Sequence, residues 1–130
     1  MIGARYFSGS SFEEMAGYAR AVIDGDMIYV SGTTGFDPET FDFPEDVESQ
    51  CENCFATIRR ALAAHGASLD DLLRVRIFVA SRAVFQRIAP IIKRHCAAAL
   101  PANTTVLADL VEPHMRVEIE VTARRQIDRK

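Results

Sequence analysis

Five groups of side chains in this sequence could carry chemistry: a Cys51-x-x-Cys54 pair, three scattered histidines, two glutamates on alternating positions near the C-terminal end, an Asn103-Thr104-Thr105 triplet and an unusual excess of arginine. Cys51 and Cys54 sit in mid-helix, with Cys51 on an apolar stripe, whereas a reactive thiol pair needs the exposed N-terminus of a helix, where the dipole lowers its pKa. Zinc would need two further ligands, and His95-Cys96 is the one nearby pair with any to offer. Packing thiols, reduced and metal-free, are therefore expected. His65, His95 and His114 are isolated from one another, and His65 falls where a helix C-terminus favours a cation. Asn103-Thr104-Thr105 spells a glycosylation sequon, but the N-terminal segment lacks the basic and apolar regions of an export signal. No nucleophile elbow, phosphate loop or dinucleotide fingerprint occurs.

The glutamates are more informative. Glu118 and Glu120 fall on one face of a strand, about 7 Å apart. A partly buried carboxylate there could rise in pKa and activate a water. The competing role is an ion pair across the sheet with Arg74 or Arg76, and the two roles are compatible.

The elements that must hold these groups follow from periodicity. Ala4–Phe7, Arg20–Asp24 and Met27–Val30 read as strands, the last two joined by the hairpin signal Asp24-Gly25-Asp26. Ser31–Phe43 reads as an ordered loop. Val47, Cys51, Phe55, Ile58 and Leu62 mark one face of a helix over Asp46–His65, opened by acidic residues and stopped by Gly66. Leu73–Ala80 alternates as a strand, with Leu73, Val75, Ile77 and Val79 against Arg74, Arg76 and Phe78. A second helix spans Val84–Ala98, kinked or restarted at Pro90. Val106, Ala108 and Leu110 suggest a strand, and Val117–Thr122 gives a strict final one. The expected order is β-β-β-α-β-α-β-β, a mixed α+β sheet with two helices on one face. The opposite face, with Arg74, Arg76, Phe78, Glu118, Glu120 and Thr122, is too mixed for water and too charged for a core, so oligomerisation through it is expected.

Composition sets the outer bounds. The chain has 130 residues, 48% apolar and 25% charged, enough for a single domain over residues 1–130 with a real core. Its net charge is -3 and no basic patch stands out, which argues against nucleic acid. No run approaches a membrane span, and the expected protein is soluble and cytoplasmic. Thirteen of its 15 cations are arginine, which prompts a search for buried ion pairs or an anion site.

The segments Met27–Gly32, Ala64–Asp71, Arg74–Val79 and Pro101-Ala102 through Val117-Glu118-Ile119-Glu120 closely resemble the Rid (YjgF-like, reactive-intermediate deaminase) family over essentially the whole chain. That resemblance implies a chorismate-mutase-like fold, a homotrimer built around a central barrel, and small-molecule clefts between subunits. No cofactor and no metal are expected. It implies hydrolysis of imines or enamines such as 2-aminoacrylate to a keto acid and ammonia. By position, Glu118 matches the glutamate that handles water, Tyr18 the cleft tyrosine, and Ser31 and Gly32 the loop beside the ligand. The family's carboxylate-binding arginine follows Pro-Ala; here Asn103 stands there, followed by Thr104 and Thr105. An amide cannot reproduce a cationic fork, and losing such a pair costs about 2–5 kcal/mol, so efficient 2-aminoacrylate hydrolysis is not expected. Arg76, on the strand beside Glu118, is a candidate replacement anchor, with a salt bridge to Glu120 as its structural alternative. The reading is a hydrolase or deaminase acting on small C=N compounds. Its alternative is a non-catalytic metabolite-binding or interaction trimer. The ribonuclease label that some family members carry fits poorly with the acidic balance.

Overall fold

The structure, a computed structural model, describes residues 3–126. Short apolar segments at the N-terminal end form an antiparallel ribbon: β1 (Ala4–Tyr6) pairs with β2 (Ala21–Asp24), which turns into β3 (Met27–Thr34). The β2–β3 turn has two residues, and Gly25 takes a φ of 63° at its first position, where a tight hairpin favours glycine. Between β1 and β2 lies a short helix, α1 (Ser11–Ala16), whose amide at Phe12 donates to the Ser10 hydroxyl. The expected element order lacked it. A six-residue helix is too short for apolar periodicity to reveal.

The helix expected at Asp46–His65 is α2 (Val47–Ala63), capped by the Asp46 carboxylate, which accepts from the Ser49 amide at 2.9 Å. Val47, Cys51, Phe55, Ile58 and Leu62 are buried as their spacing predicts. A 3-10 turn at Leu69–Asp71 leads into β4 (Leu72–Val79). Here Leu72 rather than Leu73 is buried, because a bulge between Leu72 and Arg74 shifts the alternation by one residue. Helix α3 (Arg82–Cys96) runs unbroken through Pro90 and starts two residues earlier than expected. Proline removes one helical hydrogen bond, and packing outweighs that loss: Val84, Ile88, Ile91 and Ile92 are buried, and Arg87 forks onto Glu48 of α2 at 2.8 and 2.9 Å.

Strand β5 occupies Ala102–Leu107 rather than Val106–Leu110, and β6 is Val117–Arg124. The sheet order is β1-β2-β3-β6-β4-β5, with β5 parallel to β4 and the other pairings antiparallel. The last strand thus fills the centre. Its residues Val117, Ile119, Val121 and Ala123 join Ile28, Val30, Val75, Ile77 and the buried faces of α2 and α3 in one core. The other face carries Arg76 opposite Glu120, Phe78 opposite Glu118 and Arg74 opposite Thr122, as the alternation requires. Tyr29 adds an aromatic ring to that face at 47% exposure. Among the described residues, no helix is long and apolar enough to cross a membrane.

Candidate functional site

Ser31 and Gly32, expected to begin a loop, lie instead within β3, which continues to Thr34 through a bulge between Val30 and Thr33. The bulge hides the strand's period, because one extra residue shifts the alternation. Its consequence is a close approach: a Cβ on Gly32 would lie 2.4 Å from Oε2 of Glu118 and 3.0 Å from its Cδ. Gly32 is therefore the floor on which the Glu118 carboxylate rests. Both residues line a cavity with Tyr18, Arg20, Phe12, Phe36 and Met115. Burial holds the Glu118 carboxyl above the ordinary carboxylate pKa; the Arg20 charge opposes that rise and Glu120 adds to it.

Arg20 is the group the sequence analysis missed. It is 5% exposed, and its Nε donates to Oε2 of Glu13 at 2.9 Å. Its Nη1 donates to the Gly32 carbonyl at 2.7 Å and to the Thr33 hydroxyl at 3.2 Å. Its Nη2 reaches the Tyr18 hydroxyl at 3.4 Å, and the guanidinium lies 5.4 Å from the centre of the Tyr18 ring. Glu13, 4% exposed, also accepts from the Ser8 amide at 3.0 Å and from its hydroxyl. This buried pair ties α1, the start of β2 and the bulge of β3 into one frame. The arginine excess was the available signal; Glu13 stayed hidden because its helix was not recognised.

The other expected site residues do not all converge. The Ser31 hydroxyl is spent on the Ala19 carbonyl at 2.7 Å. Asn103 and Thr105 pair in register with the buried Val75 and Ile77, so they face the helix side of the sheet, away from Glu118. There they line a groove with Phe85 and Ile92, and the Thr105 hydroxyl donates to Oδ1 of Asn103 at 2.8 Å. Thr104 pairs with Arg76 on the open face. Arg76 lies 4.0 Å from Glu120 and does not line the cavity of Glu118 and Tyr18.

The remaining candidates have packing roles. Cys51 and Cys54 are fully buried, and burial pushes the Cys51 thiol up to about 12 and Cys54 well above its usual range. Such thiols hold almost no thiolate at neutral pH. His95 stacks on Phe55 at 4.4 Å and meets Glu52 at 2.7 Å. His65 sits edge-on to Tyr6 and His114 edge-on to Phe43.

With this geometry in place, the family model for endoribonuclease L-PSP matches residues 8–125. The chain belongs to the endoribonuclease L-PSP family, the Rid or YjgF family. A solved family member, Rv2704 of Mycobacterium tuberculosis, superposes with a TM-score of 0.84 at 31% identity, covering 93% of this chain and 98% of its own. The protein SCO2049 of Streptomyces coelicolor is 30% identical over 122 residues, 93% of this chain and 91% of that one. A protein of Dermatophagoides farinae named 2-iminobutanoate/2-iminopropanoate deaminase is 28% identical over 104 residues, 79% of this chain and 81% of its own. Rid membership and the α+β fold agree with the resemblance read from the sequence. The cavity of Glu118, Tyr18 and Gly32 is assembled within the one chain, whereas Asn103 and Thr105 lie on the helix side of the sheet, away from Glu118.

Proposed function

We propose that this Rid-family chain hydrolyses small imines or enamines to a carbonyl compound and ammonia, with Glu118 as general base and then general acid. The observation that carries this reading is the Glu118 carboxyl, half-buried in a cavity, braced by Gly32 and held above the ordinary carboxylate range. Ionised, it takes a proton from water as the water oxygen attacks the carbon of the protonated C=NH2⁺ group, giving a neutral carbinolamine. Protonated, it passes that proton to the carbinolamine nitrogen; ammonia then leaves as the ionised carboxylate takes the hydroxyl proton and C=O forms, and that proton departs with ammonia as ammonium. A raised pKa suits one carboxyl to both halves of that cycle. The family's deaminase-named relative is consistent with this chemistry.

The working unit in this reading is a homotrimer joined through the open sheet face. One observation supports it: a monomer leaves Tyr29, Arg74 and Phe78 together on that face. Two measurements test the proposal. Glu118→Gln should lower the rate of imine hydrolysis by about 10²- to 10⁴-fold, and light scattering should return three times the 14.4 kDa chain mass. A fully active Glu118→Gln variant refutes the chemistry, and a stable monomer refutes the assembly.

A further inference from the structure

The charge of the cavity narrows the substrate. Among the described residues, the charged side chains lining it are Arg20 and Glu118. Arg20 brings no net positive charge: Glu13 balances it at 2.9 Å, its Nη1 is committed to the Gly32 carbonyl and the Thr33 hydroxyl, and its Nη2 reaches the Tyr18 hydroxyl at 3.4 Å. The net balance presented to a ligand is the Glu118 carboxyl alone. A carboxylate entering this space would meet a like charge without a counter-ion and would lose its own hydration. The segment expected at the cleft from a neighbouring subunit does not alter that balance, since Asn103, Thr104 and Thr105 are all uncharged. Arg76, the cation nearest Thr104 in register, has Glu120 beside it.

The walls are apolar where the charge is missing. Phe12, Phe36, Val111 and Met115 line the cavity. Phe36 is buttressed by Phe41 and Phe43, each with its ring centre 6.4 Å away. Such a surface suits a hydrocarbon substituent, while the polar end of the ligand lies toward Glu118 and Tyr18.

We infer that the cleft takes imines that carry no carboxylate, R–CH=NH or its iminium form with an apolar R group, and discriminates against 2-imino acids. The inference deepens the deaminase reading and rests on it. The reaction is R–CH=NH plus water giving R–CHO plus ammonia, and the class of reaction that supplies such a substrate is oxidation of a primary amine.

The test uses matched pairs that differ in one carboxylate. Binding is measured by calorimetric titration of the intact protein with phenylacetone and with phenylpyruvate, stable ketones standing in for the carbonyl products. Turnover is measured on the imines generated in place from 2-phenylethylamine by an amine oxidase and from phenylalanine by an amino-acid oxidase. Phenylacetone is expected to bind roughly tenfold tighter or better, because a like-charge contact is removed, and Asn103→Arg should narrow or invert that preference. Phenylpyruvate binding equally or more tightly, or neither ketone binding, overturns the inference. Turnover separates it from the parent reading. Neutral preference in binding with no acceleration of either imine removes the deaminase chemistry and leaves the selectivity standing, whereas faster hydrolysis of the 2-imino acid keeps the chemistry and overturns the selectivity.

Discussion

Replacing Gly32 by alanine tests the link between backbone and catalysis directly. Gly32 is not among the glycines with positive φ, so alanine fits its backbone and the effect is steric. The new methyl would stand 2.4 Å from Oε2 of Glu118, and ordinary contact begins at 3.4 Å, so the carboxylate must retreat by 1.0 Å, the difference of the two. A misplacement of about 1 Å at a reacting group costs on the order of 10²-fold in rate, or about 2.7 kcal/mol. The atom that moves ends a flexible side chain, so stability should fall by only about 1 kcal/mol, the low end for overpacking. Gly35→Ala supplies the contrast: its methyl would meet Cα of Gln50 at 2.6 Å, a helix backbone that cannot swing aside. The assay pairs kcat/KM for imine hydrolysis with thermal unfolding of both variants. Gly32→Ala should lose rate while staying folded, and Gly35→Ala should lose mainly stability. Wild-type activity in Gly32→Ala would refute the placement of the chemistry at Glu118.

Three further outcomes follow from the same structure. Arg20→Met leaves Glu13 buried without its partner and should cost about 3–5 kcal/mol in chemical denaturation, while Glu13→Gln combined with Arg20→Met should cost much less than the two single losses added together; additive losses would show that the pair is not coupled. Because the folded-state pKa of Glu118 lies above its ordinary 4.5, the folded protein binds the proton more tightly than the unfolded chain, and stability falls as pH rises from 4.5 through the raised value; Glu118→Gln should flatten that fall, and a wild-type-like slope in the variant would contradict the burial argument. Ellman titration should find Cys51 and Cys54 unreactive in the native protein and all three thiols reactive after denaturation without reductant, and fast native modification of Cys51 or Cys54 would refute their packing role.

What the sequence made legible was whatever repeats against a core. The stripe of α2 and the alternation of β6 have one face buried along their length, so their composition records their surroundings. Strand β5 was shifted by four residues at its start because it is an edge strand, largely exposed, and its side chains answer to no regular burial. The bulges in β3 and β4 each moved an expectation, ending one strand early and exchanging Leu72 for Leu73, since one extra residue inverts a period of two. At the site, Glu118 came from the alternation of β6, Tyr18 and Gly32 from resemblance, and all three occupy one cavity. Arg20 was missed, because its partner is seven residues away on a helix too short to announce itself.

The central position of β6 governs how this chain can come to be folded. A ribosome that has released only the first 116 residues has made β3 and β4 but not the strand that belongs between them, so both leave their inner edges without partners. Pairing β3 with β6 closes a separation of about ninety residues, Val30 to Val121 being 91 apart, and such distant closure is slow. Nascent or truncated chains therefore carry two adhesive edges from the completion of β4 until β6 emerges, a period in which chaperone protection matters most. The same late arrival means that Glu118 enters its cavity in the closing step, so a chain that has not completed its sheet has no carboxylate with which to act.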